Sequence, residues 1–459
     1  MQRLILDTST IARWTGPPVG IVRVEHELAQ HVLRQRPDVV LAFYDTALGG
    51  LRELAPRWRH IVLGLEGAID TIWVDTRRHR PAWRNVVSTR YPLVMALEHY
   101  RLAGPTQSAR LAGRLQRALL GRDAFRPPFG DSNGQHYEIL PFSMALGPML
   151  SLGPDDTVLS AGSDWLHKGT AMLALQRAHG CRLIMMCYDL LPATHPDFFP
   201  PAELARFREY WRAVLPAATR ILCNSQCIAR DVEAFAAAHA LHARRPWVVP
   251  LGHAPPAVGQ LPPLPAPLRP GGFAMFVSTL EPRKGHAVLL EAWRRLLAAG
   301  VPQQRDFRLV FVGRLGWMVD DVLRQLKDDA AVFGGSVLHW EGVGDGELTR
   351  LYRDCAFCLY PSRYEGFGLP IIEAFAHGKA VIASTGGAVP ETVAGMSPCL
   401  DPLDIETWTA TLGEWILCPA AYAPWETRIA RDFRAISWPE AAERIMRAAM
   451  APDADLGAR

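Results

Sequence analysis

Tyr364-Glu365-Gly366-Phe367-Gly368-Leu369-Pro370-Ile371-Ile372-Glu373-Ala374 is the stretch on which the fold of this chain turns. The apolar run before it, residues 355–360, reads as a buried strand. Gly366 and Gly368 then allow a tight turn and a close backbone approach. Pro370 suits the first position of a helix. A strand, a glycine loop and a helix start in that order leave backbone N–H groups facing the loop, where the helix dipole favours a phosphate. Glu365 stands before the helix and Glu373 about one turn inside it. The two carboxylates flank the expected anion site, and because carboxylates accept hydrogen bonds from hydroxyls, a sugar and a ribose are sensible targets. The plainer alternative makes Glu365 a turn cap and Glu373 an ordinary first-turn acid.

The same rhythm of apolar run, turn and amphipathic helix extends outward in both directions. Residues 4–6, 39–44, 157–160, 182–187, 220–223 and 247–249 read as strands, with helices expected over 21–34, 167–179, 201–215 and 227–239. The rhythm breaks between Ala254 and Gly271, where seven prolines stand without a regular pattern. That is linker chemistry. It restarts with strands at 273–277, 307–312, 337–340, 357–360 and 380–383 and helices at 286–298, 319–328, 347–354 and 370–377. Alternating strands and helices predict parallel sheets covered on both faces. The expected organisation is a first domain over 1–253, a proline-rich linker over 254–272, a second domain over 273–436, and a helix and tail over 437–459 that can pack back on the first domain. Two such domains make a cleft, a preferred place for a ligand.

A second constellation opens the second domain: Phe276-Val277-Ser278-Thr279-Leu280-Glu281-Pro282-Arg283-Lys284-Gly285-His286. A strand ends here and a loop delivers two adjacent cations to its carboxyl edge. Arg offers a planar fork and Lys a point charge, which suits a diphosphate. Cations near a helix start are disfavoured by its dipole, a tension that an anion would relieve. The alternative is a solvated pair.

At 459 residues, with 49% hydrophobic and 21% charged residues, the chain has the composition of a two-domain globular protein. A formal charge of +3, from 49 basic and 46 acidic residues, carries no overall polyanion signal, so any basic surface must be local and no nucleic-acid partner is expected. No run approaches the ~18 apolar residues that span a bilayer. The opening Met-Gln-Arg-Leu-Ile-Leu-Asp places an acid where an export signal would have its core, so a cytoplasmic location with reduced cysteines is expected. Cys355 and Cys358 form a C-x-x-C, but strand alternation would point them to opposite faces, poor geometry for one metal ion. Cys223 and Cys227 lack a second pair nearby.

These motifs together resemble the retaining GT-B-fold glycosyltransferases of family 4. Glu365 and Glu373 match that family's E-x7-E signature, and Arg283 and Lys284 match its diphosphate clamp. The likeness extends through Gly313-Arg314-Leu315-Gly316-Trp317 and Glu341-Gly342-Val343. It is sparser in the first domain, at the segment beginning Gly20-Ile21-Val22, at Tyr188-Asp189-Leu190 and at Cys223-Asn224-Ser225. The resemblance implies two Rossmann-like doubly wound α/β domains facing across a cleft, the first binding acceptor and the second a nucleotide sugar. Arg283 and Lys284 would bind the phosphates, Glu373 the ribose, and Glu365 the donor sugar, helped by the backbone of Gly366, Phe367, Gly368 and Leu369. Asp189 would complete the catalytic set. Gly20, Tyr188, Ser278, Gly313 and Val343 would line the donor site. Many members carry His where this chain has Tyr188, and its Tyr-Asp-Leu looks like a mannose- or rhamnose-handling branch. The expected donor is therefore GDP-mannose or a related 6-deoxyhexose, and the acceptor a saccharide or lipid-linked saccharide in polysaccharide or lipopolysaccharide assembly.

No D-x-D stands at a strand end; the one in the chain, Asp453-Ala454-Asp455, is in the tail. With Arg283 and Lys284 in place of an ion, no metal or other cofactor is expected. Arg101, Arg110, Arg114, Arg117, Arg122 and Arg126 crowd a region whose one acid is Asp123, read either as a solvated face or as a contact with anionic lipid at the inner membrane. His195 and His253 lie near strand ends. Competing functions are a nucleotide-sugar epimerase, a glycoside phosphorylase (for which no pyridoxal lysine is apparent) and an inactive sugar-nucleotide-binding partner. A glycosidase fails because its carboxylates must face each other across a glycosidic bond, roughly 5–9 Å apart.

Overall fold

The computed structural model describes residues 3–14, 20–46, 48–56, 146–253, 261–327 and 335–452, together with positions 59, 63 and 333 and the strands Ile72–Asp75 and Glu138–Pro141. The arginine-rich stretch 101–126, the first half of the proline-rich linker and Asp453-Ala454-Asp455 lie outside the described residues. The chain forms two compact units, Met1–Met185 and Met186–Arg459.

The first unit is built on β1 (Arg3–Asp7), β2 (Val40–Asp45), β3 (Gly50–Leu54), β4 (Ile72–Asp75), β5 (Glu138–Pro141), β6 (Leu146–Met149) and β7 (Asp156–Ser160), with β8 (Arg182–Cys187) at its end. Its sheet runs β8-β7-β1-β2-β3-β6, and β4 and β5 form a separate parallel pair. β8, β7, β1 and β2 are parallel, whereas β3 and β6 close the edge antiparallel. The two antiparallel strands were not expected from sequence; Gly50-Leu51-Arg52-Glu53-Leu54 is short and carries charge, so its apolar signal is weak. The helix expected over 167–179 is broken at Gly169, whose φ of +53° separates Asp164–His167 from Ala171–His179. Past the carboxyl ends of β1 and β7 the interior is polar: Lys168 is ion-paired with Asp7 and, at 2.6 Å, with Asp164.

The second unit contains the parallel pair β9 (Arg220–Cys223) and β10 (Trp247–Val248). It also contains a six-stranded parallel sheet in the order β13-β12-β11-β14-β15-β16. These strands are β11 (Phe273–Val277), β12 (Arg308–Val312), β13 (Val337–Trp340), β14 (Phe357–Tyr360), β15 (Val381–Ser384) and β16 (Cys399–Leu400). Phe273, Phe276, Phe311 and Phe357 are fully buried, as central parallel strands require when helices cover both faces. One cover is the helix His286–Ala298, which buries Leu289, Leu290, Trp293 and Leu296 on one stripe. Gly413 of the helix Ile405–Leu417 packs against it so closely that a Cβ there would come 2.9 Å from Leu296. The C-terminal helix Trp438–Met450 packs on β9, where the buried Arg220 donates to the carbonyls of Ala448, Ala451 and Pro452 and lies 4.4 Å over the Trp247 ring.

The chain leaves β11 toward β12 and β13, then returns to β14 on the other side of β11. The carboxyl ends of β11 and β14 therefore flank the point where strand order reverses, the place where open α/β sheets bind ligands.

Candidate active site

The two loops quoted from the sequence meet at this reversal. The β11 loop carries Arg283 and Lys284 in the single turn Pro282–Lys284, and the β14 loop carries Glu365. Their backbones lock together: Arg363 N–H donates to the Arg283 carbonyl at 2.7 Å, and Gly285, at φ +79°, passes so close that a Cβ would come 2.4 Å from the Pro361 oxygen. Only glycine fits there.

Arg283 Nη1 lies 2.8 Å from Glu365 Oε2 and Lys284 Nζ 2.6 Å from Glu365 Oε1. Arg283 Nη2 pairs with Glu281 Oε1 at 2.8 Å, and Nη1 also donates to the Tyr364 carbonyl at 3.0 Å. Burial pushes the Glu365 carboxyl up, but Arg283 and Lys284 outweigh it and hold the group at about 2. Burial lowers Arg283, yet Glu365, Glu281 and Asp189 raise it above its ordinary value. Lys284 is lowered by burial and by Arg283 beside it, with Glu365 opposing. Burial raises Asp189, against Arg283. The clamp that the sequence presented as two cations in need of an anion is thus already neutralised by Glu281 and Glu365. Arg283 Nε nevertheless remains buried with no hydrogen-bond partner among the described residues.

The helix Leu369–Ala376 starts at Gly368, whose φ of +108° turns the loop into it, with Pro370 in its first turn. Glu373 accepts from the Tyr352 hydroxyl at 2.9 Å. Gly366 sits against Tyr188, where an added Cβ would come 2.1 Å from the Tyr188 oxygen, and Ser225 Oγ donates to the Gly366 carbonyl at 2.8 Å. The Phe367 carbonyl accepts from Thr392 Oγ1 at 2.5 Å. Ser278 Oγ faces His286 Nε2 at 3.3 Å; burial, then Lys284, pushes that imidazole down to about 3, so it adds no charge beneath the clamp. Gly313, at φ +150°, lets its backbone pass Ser278, where a Cβ would come 2.0 Å from the Ser278 oxygen.

The structure thus brings Arg283, Lys284 and Glu365 into direct contact, sets Gly366 against Tyr188, and packs Gly313 on Ser278. Val343 follows β13 and packs against the core of this sheet. Gly20 belongs to the first unit, where it caps the helix Ile21–Gln35 with φ +53°. His195 packs on Tyr364 with ring centroids 4.5 Å apart, whereas His253 N–H donates to the Ile436 carbonyl at 2.8 Å. Glu281, Tyr352 and Asp231 had no role assigned from sequence. Glu281 stood in the quoted motif, and an acid two residues before Arg283 was its signal. The other two come from distant segments and left none.

The C-x-x-C expectation is corrected. Cys355 precedes β14 and ends the helix Asp345–Asp354, so strand alternation does not apply, and its sulfur lies 3.7 Å from that of Cys358. Both thiols are buried, and no group of three metal-ligating side chains occurs among the described residues.

Residues 273–416 match the family model "Glycosyl transferases group 1". The serotype-specific mannosyltransferase WbdA of Escherichia coli is 30% identical over 216 residues, 43% of this chain and 25% of its own length. The O-antigen chain mannosyltransferase B of Escherichia coli is 37% identical over 141 residues, 30% of this chain and 35% of its own length. The chain therefore spans only about a quarter to a third of these relatives. Among solved structures, Anabaena HepE in complex with UDP and glucose superposes with a TM-score of 0.56 at 12% identity, covering 98% of this chain and 99% of that one. Sucrose-phosphate synthase of Thermosynechococcus elongatus gives 0.56 at 15% identity, with 98% of each chain covered. The fold they share is two parallel-sheet α/β domains. A cation pair and a carboxylate meet at the reversal of a parallel sheet, on a stretch, residues 273–416, that matches the group 1 glycosyl transferases in sequence, and the chain shares the GT-B fold of its solved neighbours.

Proposed function

We propose that the protein transfers a hexose, mannose or a 6-deoxyhexose, from a GDP-sugar to a saccharide or lipid-linked saccharide acceptor, with retention of anomeric configuration and without a metal ion. The observation that carries the reading is the Arg283–Lys284 pair at the strand-order reversal, with a buried guanidinium Nε that has no hydrogen-bond partner among the described residues. A diphosphate oxygen satisfies that donor and shares the two cations with Glu365. As the bond from sugar to phosphate breaks, negative charge grows on the leaving diphosphate, and preorganised cations in a buried setting stabilise it. Glu365, kept ionised, is free to accept from a sugar hydroxyl once phosphate takes part of the load. Glu373, half-buried one turn into the helix, accepts from a ribose hydroxyl alongside Tyr352. The mannosyltransferase relatives support the choice of sugar, and polysaccharide or O-antigen assembly is the setting they suggest.

Thermal shifts with GDP, UDP, dTDP and ADP, on wild type and on Glu373→Ala, test the reading. A nucleotide at a hundred times its Kd adds about 2.7 kcal/mol to stability. GDP stabilising the wild type more than the variant is the expected result, followed by transfer from GDP-mannose to give a product of retained anomeric configuration. Stabilisation by UDP instead would move the donor to a UDP-sugar, and no stabilisation by any nucleotide sinks the transferase reading. Donor consumed without an acceptor would favour an epimerase.

A further inference from the structure

Tyr364 is a residue through which the donor loop is tied to the rest of the second unit. Its carbonyl accepts from Arg283 Nη1 at 3.0 Å, and the next residue is Glu365, which takes both cations. Its hydroxyl donates to Asp231 Oδ2 at 2.6 Å, on the helix Gln226–Ala238, and lies 3.4 Å from Cys227 Sγ. Its ring packs on His195, with centroids 4.5 Å apart. The start of the same helix holds the loop at Gly366 and is itself held by Glu391 of the helix Val389–Val393. Ser225 Oγ donates to the Gly366 carbonyl at 2.8 Å, and Glu391 accepts from Gln226 N–H at 2.8 Å and Cys227 N–H at 3.1 Å. Asp231 is half-buried; burial raises its carboxyl, and the Tyr364 hydroxyl opposes the rise.

Resting on the transferase reading above, we infer that Asp231 is a positioning residue for sugar transfer, which acts through the Tyr364 hydroxyl to fix Glu365 and the Arg283 guanidinium in the geometry the leaving diphosphate requires. The reason is mechanical. Glu365 has one peptide between its Cα and that of Tyr364, and Arg283 is bonded to that residue's own carbonyl. A rotation of Tyr364 therefore displaces the carboxylate and the guanidinium together. The phosphates are recognised by charge, which tolerates small shifts, whereas stabilisation of the bond-breaking step depends on sub-ångström placement. Loss of the tie should therefore fall on turnover more than on nucleotide binding.

The test measures kcat and KM for donor, nucleotide Kd and Tm for wild type, Tyr364→Phe, Asp231→Ala, Asp231→Asn and the double variant Tyr364→Phe/Asp231→Ala. Tyr364→Phe and Asp231→Ala are each expected to lower kcat roughly ten- to a hundredfold, the span of a hydrogen bond to a charged group, with nucleotide Kd within about twofold of wild type. The double variant should lose no more than either single one, because both remove one interaction. Asp231→Asn, whose carbonyl still accepts from the hydroxyl, should recover most of the turnover. Unchanged kcat overturns the inference, as does a fall in kcat that only tracks Tm. Additive losses also overturn it, since the two residues would then act separately. A wild type that turns over while its variants match it defeats this inference alone; a wild type that binds no nucleotide defeats the transferase reading beneath it.

Discussion

Gly366 is held by what surrounds it and not by its own backbone angles: a Cβ would come 2.1 Å from the Tyr188 carbonyl oxygen and 3.5 Å from Asn224 Nδ2. The obstacle is backbone, so it cannot swing aside. Gly366→Ala should cost about 1–3 kcal/mol of stability, in the range of other overpacked sites, and should push the donor loop away from Tyr188. A thermal melt beside a turnover assay checks this; an alanine variant with wild-type Tm and turnover would show the approach is looser than the structure has it. Glu365 belongs at this scale too. With its carboxyl held at about 2, it stays ionised at any pH at which turnover would be assayed, so the pH profile of transfer must come from other groups. The sequence marked both residues, but as members of a motif. That one is packed against Tyr188, and that the other is ion-paired with both cations, came from the fold.

Among the elements, the helix Ile21–Gln35 carries a group that links pH to stability. Glu25 is fully buried and accepts from the N–H groups of Thr10 at 3.0 Å and Ile11 at 2.9 Å, while its Oε2 has no hydrogen-bond partner among the described residues. Burial, then the charge of Asp7, pushes the carboxyl up to about 8, against Ile11 N–H and Lys168. The unfolded chain releases this proton near the ordinary value of 4.5, the folded chain only near 8. Between those limits the folded state binds more protons, so stability from this group is fully present below the lower value and is lost as pH rises through the upper one. Glu25→Gln keeps an acceptor for both N–H groups and cannot ionise. It should flatten the fall of Tm between pH 5 and 8 and exceed the wild type at pH 8. Parallel Tm curves for the two proteins would refute the assignment. Elements of the second domain were the most legible in sequence. β11 and β14 fall where their buried apolar runs predict, because a strand covered on both faces leaves a continuous hydrophobic signal. The antiparallel strands β3 and β6 left no such signal. Gly169 broke a helix because a positive φ overrides an otherwise helical pattern.

At the level of the whole molecule, the second parallel sheet holds a buried cation pair at its strand-order reversal, and on the function proposed above that pair takes the place of a metal ion. Transfer assayed in excess EDTA should therefore keep its rate; loss of activity that a divalent cation restores would overturn the proposal. No helix among the described residues is long and apolar enough to cross a membrane. Any association with a lipid surface would have to come from elsewhere, and sedimentation with anionic vesicles can measure it. The sequence by itself determined the alternation of strands and helices, the break at the prolines, and the two loops that carry the charged residues. These are local properties, written in periodicity, in glycine and proline positions, and in residue type. Tertiary structure alone decided that the chain returns to the far side of β11, which makes residues some eighty positions apart close a clamp at one sheet edge. It alone also decided that Glu281 and Glu365 neutralise that clamp, that Asp231 holds Tyr364, and that Cys355 and Cys358 share one side. Each of these depends on which segments become neighbours, a property of chain topology that no window of sequence contains.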